Sequence, residues 1–332
     1  MNIRGKVFVT GADGMLGSSI CRELISQGYP VKVIILSNRN LNVLSGLNIE
    51  IVEGNILDRD FLEREMVDCE FVIHAAALTT VWPRRSELVM NVNFQGTKNV
   101  MEVAEKLKMK RMVHISTANS FGHGSKETPG NETTSSVFGK YGMDYIKSKY
   151  LSQKMLLEKY AQDGFPVIII NPTYMIGPFD SGPSSGKMII ELLKDRIPGY
   201  STGGKNFVCS TDVATASVNA LKFGKLGECY IAGNENLDYK EFFKKIYSVR
   251  NRKFKLIKVP RFLVLCIGFY NSLVARLIKK EPKLSYTMTR MASVGQYYSS
   301  EKAIKELKLP QTPIETGIEL CVDWFESNGY LK

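Results

Sequence analysis

No two cysteines in this chain stand at CxxC spacing; Cys21, Cys69, Cys209, Cys229, Cys266 and Cys321 are scattered over its whole length. Neither a disulfide framework nor a zinc site is suggested, and a reducing, cytoplasmic setting is expected. Histidine is scarce, and His74, His114 and His123 lack metal-ligand spacing. His74 and His114 sit in apolar runs and read as core residues, so no metal is expected. Internal repeats and low-complexity tracts are missing. So are dense basic blocks: the net charge of +11 is spread along the chain. That reads as a solvated basic surface, with no nucleic-acid partner. The most hydrophobic segment, "FLVLCIGFYNSLVARLI" at 262–278, is interrupted by Asn271 and Arg276. It falls short of the roughly 18 apolar residues that span a bilayer, so stable membrane insertion is not expected. It reads as a buried helix, with a lipophilic pocket wall or an interfacial helix as the alternative. The basic and then apolar N-terminus is cut short by Asp13 and the glycines, which makes it a first strand and not a signal peptide.

What the chain has is core-forming capacity, with 332 residues of which 44% are hydrophobic. Short β-branched runs, "KVFVTG", "VKVIIL", "IEIVEG", "CEFVIHAA", "RMVHIST" and "PVIIINP", alternate with segments of helical period. This alternation predicts an α/β fold, a Rossmann-type doubly wound parallel sheet. Residues 1–170 are assigned to that unit, with parts of 205–235 returning to it. Residues 171–204 and 236–332, rich in Gly/Pro/Ser loops at first, are assigned to a smaller, interwoven and mostly helical substrate lobe.

Gly11, Gly14 and Gly17 in "VTGADGMLG" follow the first strand and open a helix that Gly28 is placed to stop. Glycine permits the tight turn and lets the backbone approach a pyrophosphate, while the helix N-terminus supplies N–H groups and partial positive charge. A dinucleotide loop is expected. After the second strand, Ser37, Asn38 and Arg39 offer donors and a cation with no carboxylate, which favours NADP(H) over NAD(H), although NAD(H) stays possible.

Two Tyr/Lys pairs stand at i and i+4, Tyr145 with Lys149 and Tyr150 with Lys154. A chain of this composition yields about one such pair by chance, so context has to choose. Some 30 residues before Tyr145, "RMVHIST" ends in Ser116 and Thr117, at the edge where parallel strands deliver ligand contacts. That context points towards Tyr145 and Lys149, whose ammonium would favour the phenolate, a choice that would leave Lys154 to solvent.

The ordered set "TGADGMLG", "HAAA", "NFQGT", "STANSFG", "YIKSK", "NPTYMIGP" and "STDVA" resembles the extended short-chain dehydrogenase/reductase family over nearly the whole chain. That family includes nucleotide-sugar epimerases and dehydratases, dihydroflavonol reductases and 3β-hydroxysteroid dehydrogenases. The resemblance implies Tyr145 as proton donor or acceptor, Lys149 as its partner and ribose ligand, Thr117 as the hydroxyl polarising the substrate oxygen, and Asn93 as support for an active-site water. It places further cofactor contacts at Asp13, Met15 and Leu16, at Asn55 and Ile56, at Ala75, Ala76 and Ala77, and at Pro172. The final third looks closest to the dihydroflavonol-reductase and 3β-hydroxysteroid-dehydrogenase branch.

Three positions depart from the pattern: Asn55 replaces an aspartate, Phe121 a tyrosine, and Asn171 an arginine at the floor of the substrate site. "GPSSG" at 182–186 matches a hydrolase elbow, but no strand leads into it. The leading expectation is an NADP(H)-dependent carbonyl reductase or alcohol dehydrogenase acting on a small molecule, bulky and apolar or a nucleotide sugar. A nucleotide-sugar epimerase or dehydratase with retained cofactor is the alternative, and a non-catalytic NAD(P) sensor the third reading. A homodimer is expected through the helix beginning near Arg84 and the one carrying Tyr145.

Overall fold

The computed structural model describes residues 5–37, 41–136 and 138–331. β1 (Val7–Thr10) leads through the glycine turn into α1 (Met15–Ser26), followed by β2 (Val31–Ile35), β3 (Glu50–Glu53), α2 (Arg59–Met66) and β4 (Phe71–His74). A helical stretch runs from α3 (Glu87–Met90) through a wide π-type turn at Asn91–Gln95 into α4 (Gly96–Lys106). Next come β5 (Arg111–Ile115), α5 (Asp144–Asp163), β6 (Val167–Pro172), β7 (Tyr174–Ile176), α6 (Lys187–Leu193), β8 (Gly199–Tyr200) and β9 (Gly204–Cys209). After α7 (Ser210–Phe223), β10 (Cys229–Ala232), β11 (Glu235–Asp238), α8 (Tyr239–Val249) and β12 (Ile257–Lys258), the chain closes with α9 (Arg261–Ile278), α10 (Tyr286–Ala292), β13 (Gly295–Gln296), α11 (Glu301–Leu307) and α12 (Ile314–Ser327).

Seven strands form one sheet in the order β10-β6-β5-β4-β1-β2-β3, and every neighbouring pair is parallel. The order reverses between β1 and β4, the crevice where doubly wound sheets take their ligands at the carboxyl ends of the strands. β1, β2 and β6 are buried along their whole length, which is why their sequences are largely apolar, with Thr10, Lys32 and Asn171 as buried polar exceptions. α1, α7 and α11 cover one face through Ile20, Leu24, Val213, Ala303 and Leu307. α2, α4 and α5 cover the other through Leu62, Met66, Val100, Val103 and Leu156.

The second half divides more finely than its sequence suggested. Within 205–235, α7 and β10 join the large sheet, whereas β9 lies in a separate small sheet with β7, β11 and β13. α11 crosses back to pack on α7 and β10. A third core holds α6, α8 and α12 over β9, with the rings of Phe207 and Phe242 stacked at 3.8 Å.

The fold overturns the expected burial of 262–278. These residues are helical, as part of α9, but only Val264, Gly268 and Ala275 of that helix are buried. Phe262, Phe269 and Leu277 are 65%, 62% and 77% exposed. The anchoring face is narrow because α10 is the main element against it: Gly268 lies so near Thr289 that an added Cβ would meet its Oγ1 at 2.3 Å.

Candidate active site

The glycine turn is built by close main-chain approach. Gly11 has φ +72°, and a Cβ there would sit 2.6 Å from the Ala76 nitrogen. A Cβ on Gly17 would fall 1.9 Å from the Gly11 carbonyl oxygen, so α1 rests directly on the turn, whereas one on Gly14 would make an ordinary 3.5 Å contact. Gly14 starts α1 without a side-chain cap, and the first turn carries no acidic residue. Met15 and Leu16 turn their side chains into the core and Asp13 is half-buried beside them. An uncapped helix N-terminus behind a glycine turn is a cradle for a pyrophosphate, and these residues fit a dinucleotide.

Around the crevice, Ser37 is exposed just past β2, while Asn38 and Arg39 lie outside the described residues. Asn55 is exposed after β3, its Oδ1 accepting from the Leu57 N–H at 3.0 Å. Ile56 is buried, and its carbonyl is held by Asn99 at 3.1 Å, a contact that the sequence did not signal. Ala75, Ala76 and Ala77 form the half-buried loop after β4.

A directed hydrogen-bond chain fixes that loop. Thr97 donates to the Asn93 carbonyl at 2.6 Å, so its oxygen accepts from His74 Nε2 at 3.0 Å. His74 is then the Nε2–H tautomer, Nδ1 accepts from Thr10 at 2.7 Å, and Thr10 Oγ1 accepts from the Ala76 N–H at 3.1 Å. Full burial lowers the His74 pKa to about 3, which keeps the ring neutral. His114 is equally buried and stacks on His74 with centroids 5.4 Å apart. Asn93 in turn accepts from the Leu78 N–H at 2.7 Å and donates to the Leu78 carbonyl at 2.9 Å and to Ser148 at 3.1 Å.

Tyr145, Lys149 and Gln153 stand at i, i+4 and i+8 on α5, along the side that meets the end of β5. The Tyr145 phenol lies beside the Thr117 hydroxyl without full hydrogen-bond geometry, and burial pushes its pKa up. Lys149 donates to the Ile115 carbonyl at 2.7 Å, and burial lowers its pKa to about 7. The expected lowering of the phenol by this lysine is therefore replaced by desolvation of both groups. Gln153 Oε1 accepts from Ser116 at 2.9 Å and from Asn171 at 2.7 Å, and Asn171 also donates to the Thr117 carbonyl at 3.0 Å. Asn171 is thus a buried strut under Thr117, and Pro172 is buried next to it at the end of β6. The other pair is a surface feature: Lys154 is exposed and faces Glu158 at 3.6 Å. Ser184 of "GPSSG" donates to Asp180 at 2.9 Å in a loop closed on that carboxylate.

A second polar group beside this stripe went unnoticed in the sequence. Tyr145 and Met291 both pack on the cluster of Tyr141, Met143 and Ile146. The Tyr141 phenol faces Gln296 without full hydrogen-bond geometry, and Tyr298 Oη and His123 Nε2 are buried with no partner among the described residues. Gln296 Oε1 accepts at 2.6 Å from Lys205, whose ammonium lies 5.3 Å from the Tyr174 ring centre and whose pKa burial lowers to about 8. Buried polar groups are normally paired, and these are left without a partner among the described residues. The signal was one charged residue inside the strand "GKNFVC".

The model of the NAD dependent epimerase/dehydratase family matches residues 7–233. A Synechocystis sp. protein named after dihydroflavonol 4-reductase is 30% identical over 330 residues, covering 98% of this chain and 96% of that protein. Sterol demethylase protein B of Methylococcus capsulatus is 26% identical over 327 residues, covering 97% and 99%. The crystal structure of gox2253 superposes with a TM-score of 0.87 at 28% identity, covering 99% of this chain and all of that one. With the glycine cradle, the α5 stripe and these likenesses along its whole length, the chain belongs to the NAD dependent epimerase/dehydratase family of the extended short-chain dehydrogenases/reductases, NAD(P)-dependent reductases, dehydratases and epimerases.

Proposed function

We propose that the chain is an NADP(H)-dependent carbonyl reductase or alcohol dehydrogenase with Tyr145 as its general acid/base. The observation that carries this reading is the placement of the Tyr145 phenol beside Thr117, with Lys149 one turn on, buried and donating to the Ile115 carbonyl. A nicotinamide dinucleotide bound over the glycine cradle would supply the hydride chemistry. Tyr145, neutral because burial raises its pKa, delivers its proton to the substrate oxygen in reduction and recovers it in oxidation. Thr117 donates to the same oxygen and withdraws charge from it. Lys149 is assigned to the ribose and to the proton balance of the phenol. Asn93 supports the active-site water indirectly, through Leu78 and Ser148. The test is a screen of ketones, aldehydes and nucleotide sugars with both cofactors; reduction of a carbonyl substrate, or oxidation of the corresponding alcohol, with net consumption of cofactor supports the reading.

Cofactor choice rests on Ser37, Asn38 and Arg39. NADPH should bind more tightly than NADH, and Arg39→Ala should shrink the gap by roughly ten- to a hundredfold, the scale of one charge-assisted hydrogen bond. Equal affinities in the wild type would remove the assignment. A homodimer through the helical stretch that runs from α3 into α4 and through α5, and a reducing cytoplasmic setting, belong to the same proposal. Sedimentation at micromolar concentration tests the first, and the six free thiols, five of them buried, support the second.

A nucleotide-sugar epimerase or dehydratase is the second reading, favoured by Lys205. Its buried ammonium has an amide oxygen for a partner and no carboxylate among the described residues, so an anionic group on the substrate would complete it. Cofactor that copurifies and is not consumed during turnover would select this reading.

A further inference from the structure

We propose that α9 is an interfacial helix that docks this chain on an anionic phospholipid bilayer. At 100° per residue, Val264, Gly268 and Ala275 share one face, the buried one. Phe262, Cys266, Phe269, Leu273 and Leu277 share the opposite face, and all five are exposed. A surface helix ordinarily turns polar residues outward, so this apolar outer face is inverted. Tyr270, Ile267 and Tyr286 of α10 widen it into a contiguous apolar patch.

Charge selects the occupant. Lys253, Lys255, Lys258 and Arg261 flank the start of the helix, and Arg276, Lys279, Lys280 and Lys283 its end; all are exposed. Glu281 is the only carboxylate between residues 251 and 290. Some lysines elsewhere are ion-paired, such as Lys6 with Glu50 and Lys245 with Glu235, whereas none of these eight cations is ion-paired with another described residue. An exposed apolar helix face with unpaired cations before and after it in the chain matches acyl chains under anionic headgroups.

The helix is about 27 Å long at 1.5 Å per residue and, contrary to the expectation from its interruptions at Asn271 and Arg276, is by length and composition long and apolar enough to cross a membrane. The fold makes it lie flat instead. The chain before it is tied to β8 by β12, and the chain after it folds back as α10 and enters the small sheet as β13, so both ends belong to one folded body.

The experiment is co-sedimentation of the full chain with vesicles of phosphatidylcholine containing phosphatidylglycerol, at about 0.1 M salt, against phosphatidylcholine alone. The wild type should bind the anionic vesicles. The triple variants Phe262→Ser/Leu273→Ser/Leu277→Ser and Lys279→Gln/Lys280→Gln/Lys283→Gln should each bind about tenfold more weakly or worse, with unchanged thermal midpoints. Cys266, the one exposed cysteine, carries an environment-sensitive maleimide whose emission should shift to the blue on binding. Wild-type protein left in the supernatant, or variants that bind as well as it does, would overturn the proposal. So would a dimer that the serine variant dissolves, because the face would then belong to a second copy.

Discussion

Lys149 donates its 2.7 Å hydrogen bond to the main-chain carbonyl of Ile115, the last residue of β5, one helical turn from the phenol of Tyr145. The amine is thereby buried against an uncharged acceptor, and its pKa falls to about 7. The folded value lies below the unfolded one, near ~10.4. Between those limits the unfolded chain binds more protons than the folded one, so this contribution to stability rises with pH.

Thermal unfolding of the cofactor-free protein at pH 7 and pH 9, beside Lys149→Met, isolates that term from other titrating groups. Wild type should gain on the variant by about 2 kcal/mol over the interval, at roughly 1.4 kcal/mol per pH unit. Parallel pH profiles would mean that Lys149 titrates as an exposed lysine does.

The glycines predict a graded series. Gly17→Ala sets a Cβ on the Gly11 carbonyl and should lower stability by several kcal/mol or prevent folding, because backbone and not a flexible side chain stands in the way. Gly14→Ala meets Gly11 at an ordinary contact distance, so its loss should appear in cofactor affinity and not in the denaturant midpoint. Equal midpoints for the two variants would contradict the packing of α1 on the turn.

Thr97→Val keeps the shape of the side chain but removes the acceptor for His74 Nε2–H and the donor to the Asn93 carbonyl. Leaving those buried groups unpaired should cost about 1–3 kcal/mol. Cofactor affinity should fall too, since the same chain holds the Ala76 N–H beside the glycine turn. A neutral result in urea unfolding would show that water replaces the hydroxyl.

The sequence made the cradle and the first two members of the α5 stripe legible for different reasons. Gly11 and Gly17 answer to local backbone sterics, which spacing after a strand expresses directly. Tyr145 and Lys149 needed the strand ending in Ser116 and Thr117 to single them out. Gln153 and Asn171 were not legible as a pair, because a buried polar residue looks like a surface one until its partner is known. Lys205 hid in the same way. α9 misled in the opposite direction: apolar composition ordinarily signals burial, and here the buried face is only the narrow one against α10.

The pair of tyrosines on α5 gives the sharpest test of the catalytic assignment. Tyr145→Phe keeps the ring and its packing on the Tyr141, Met143 and Ile146 cluster but deletes the phenolic hydroxyl beside Thr117. Folding and cofactor affinity should hold while turnover falls by roughly 10²- to 10⁴-fold, the scale of a general acid/base. Tyr150→Phe, on the neighbouring pair whose lysine faces Glu158, should leave turnover within about twofold, as expected for a change outside the reacting atoms. Measured on any substrate the screen yields, near-normal turnover in Tyr145→Phe would withdraw the proton-transfer role, and a large loss in Tyr150→Phe would move it to the other pair.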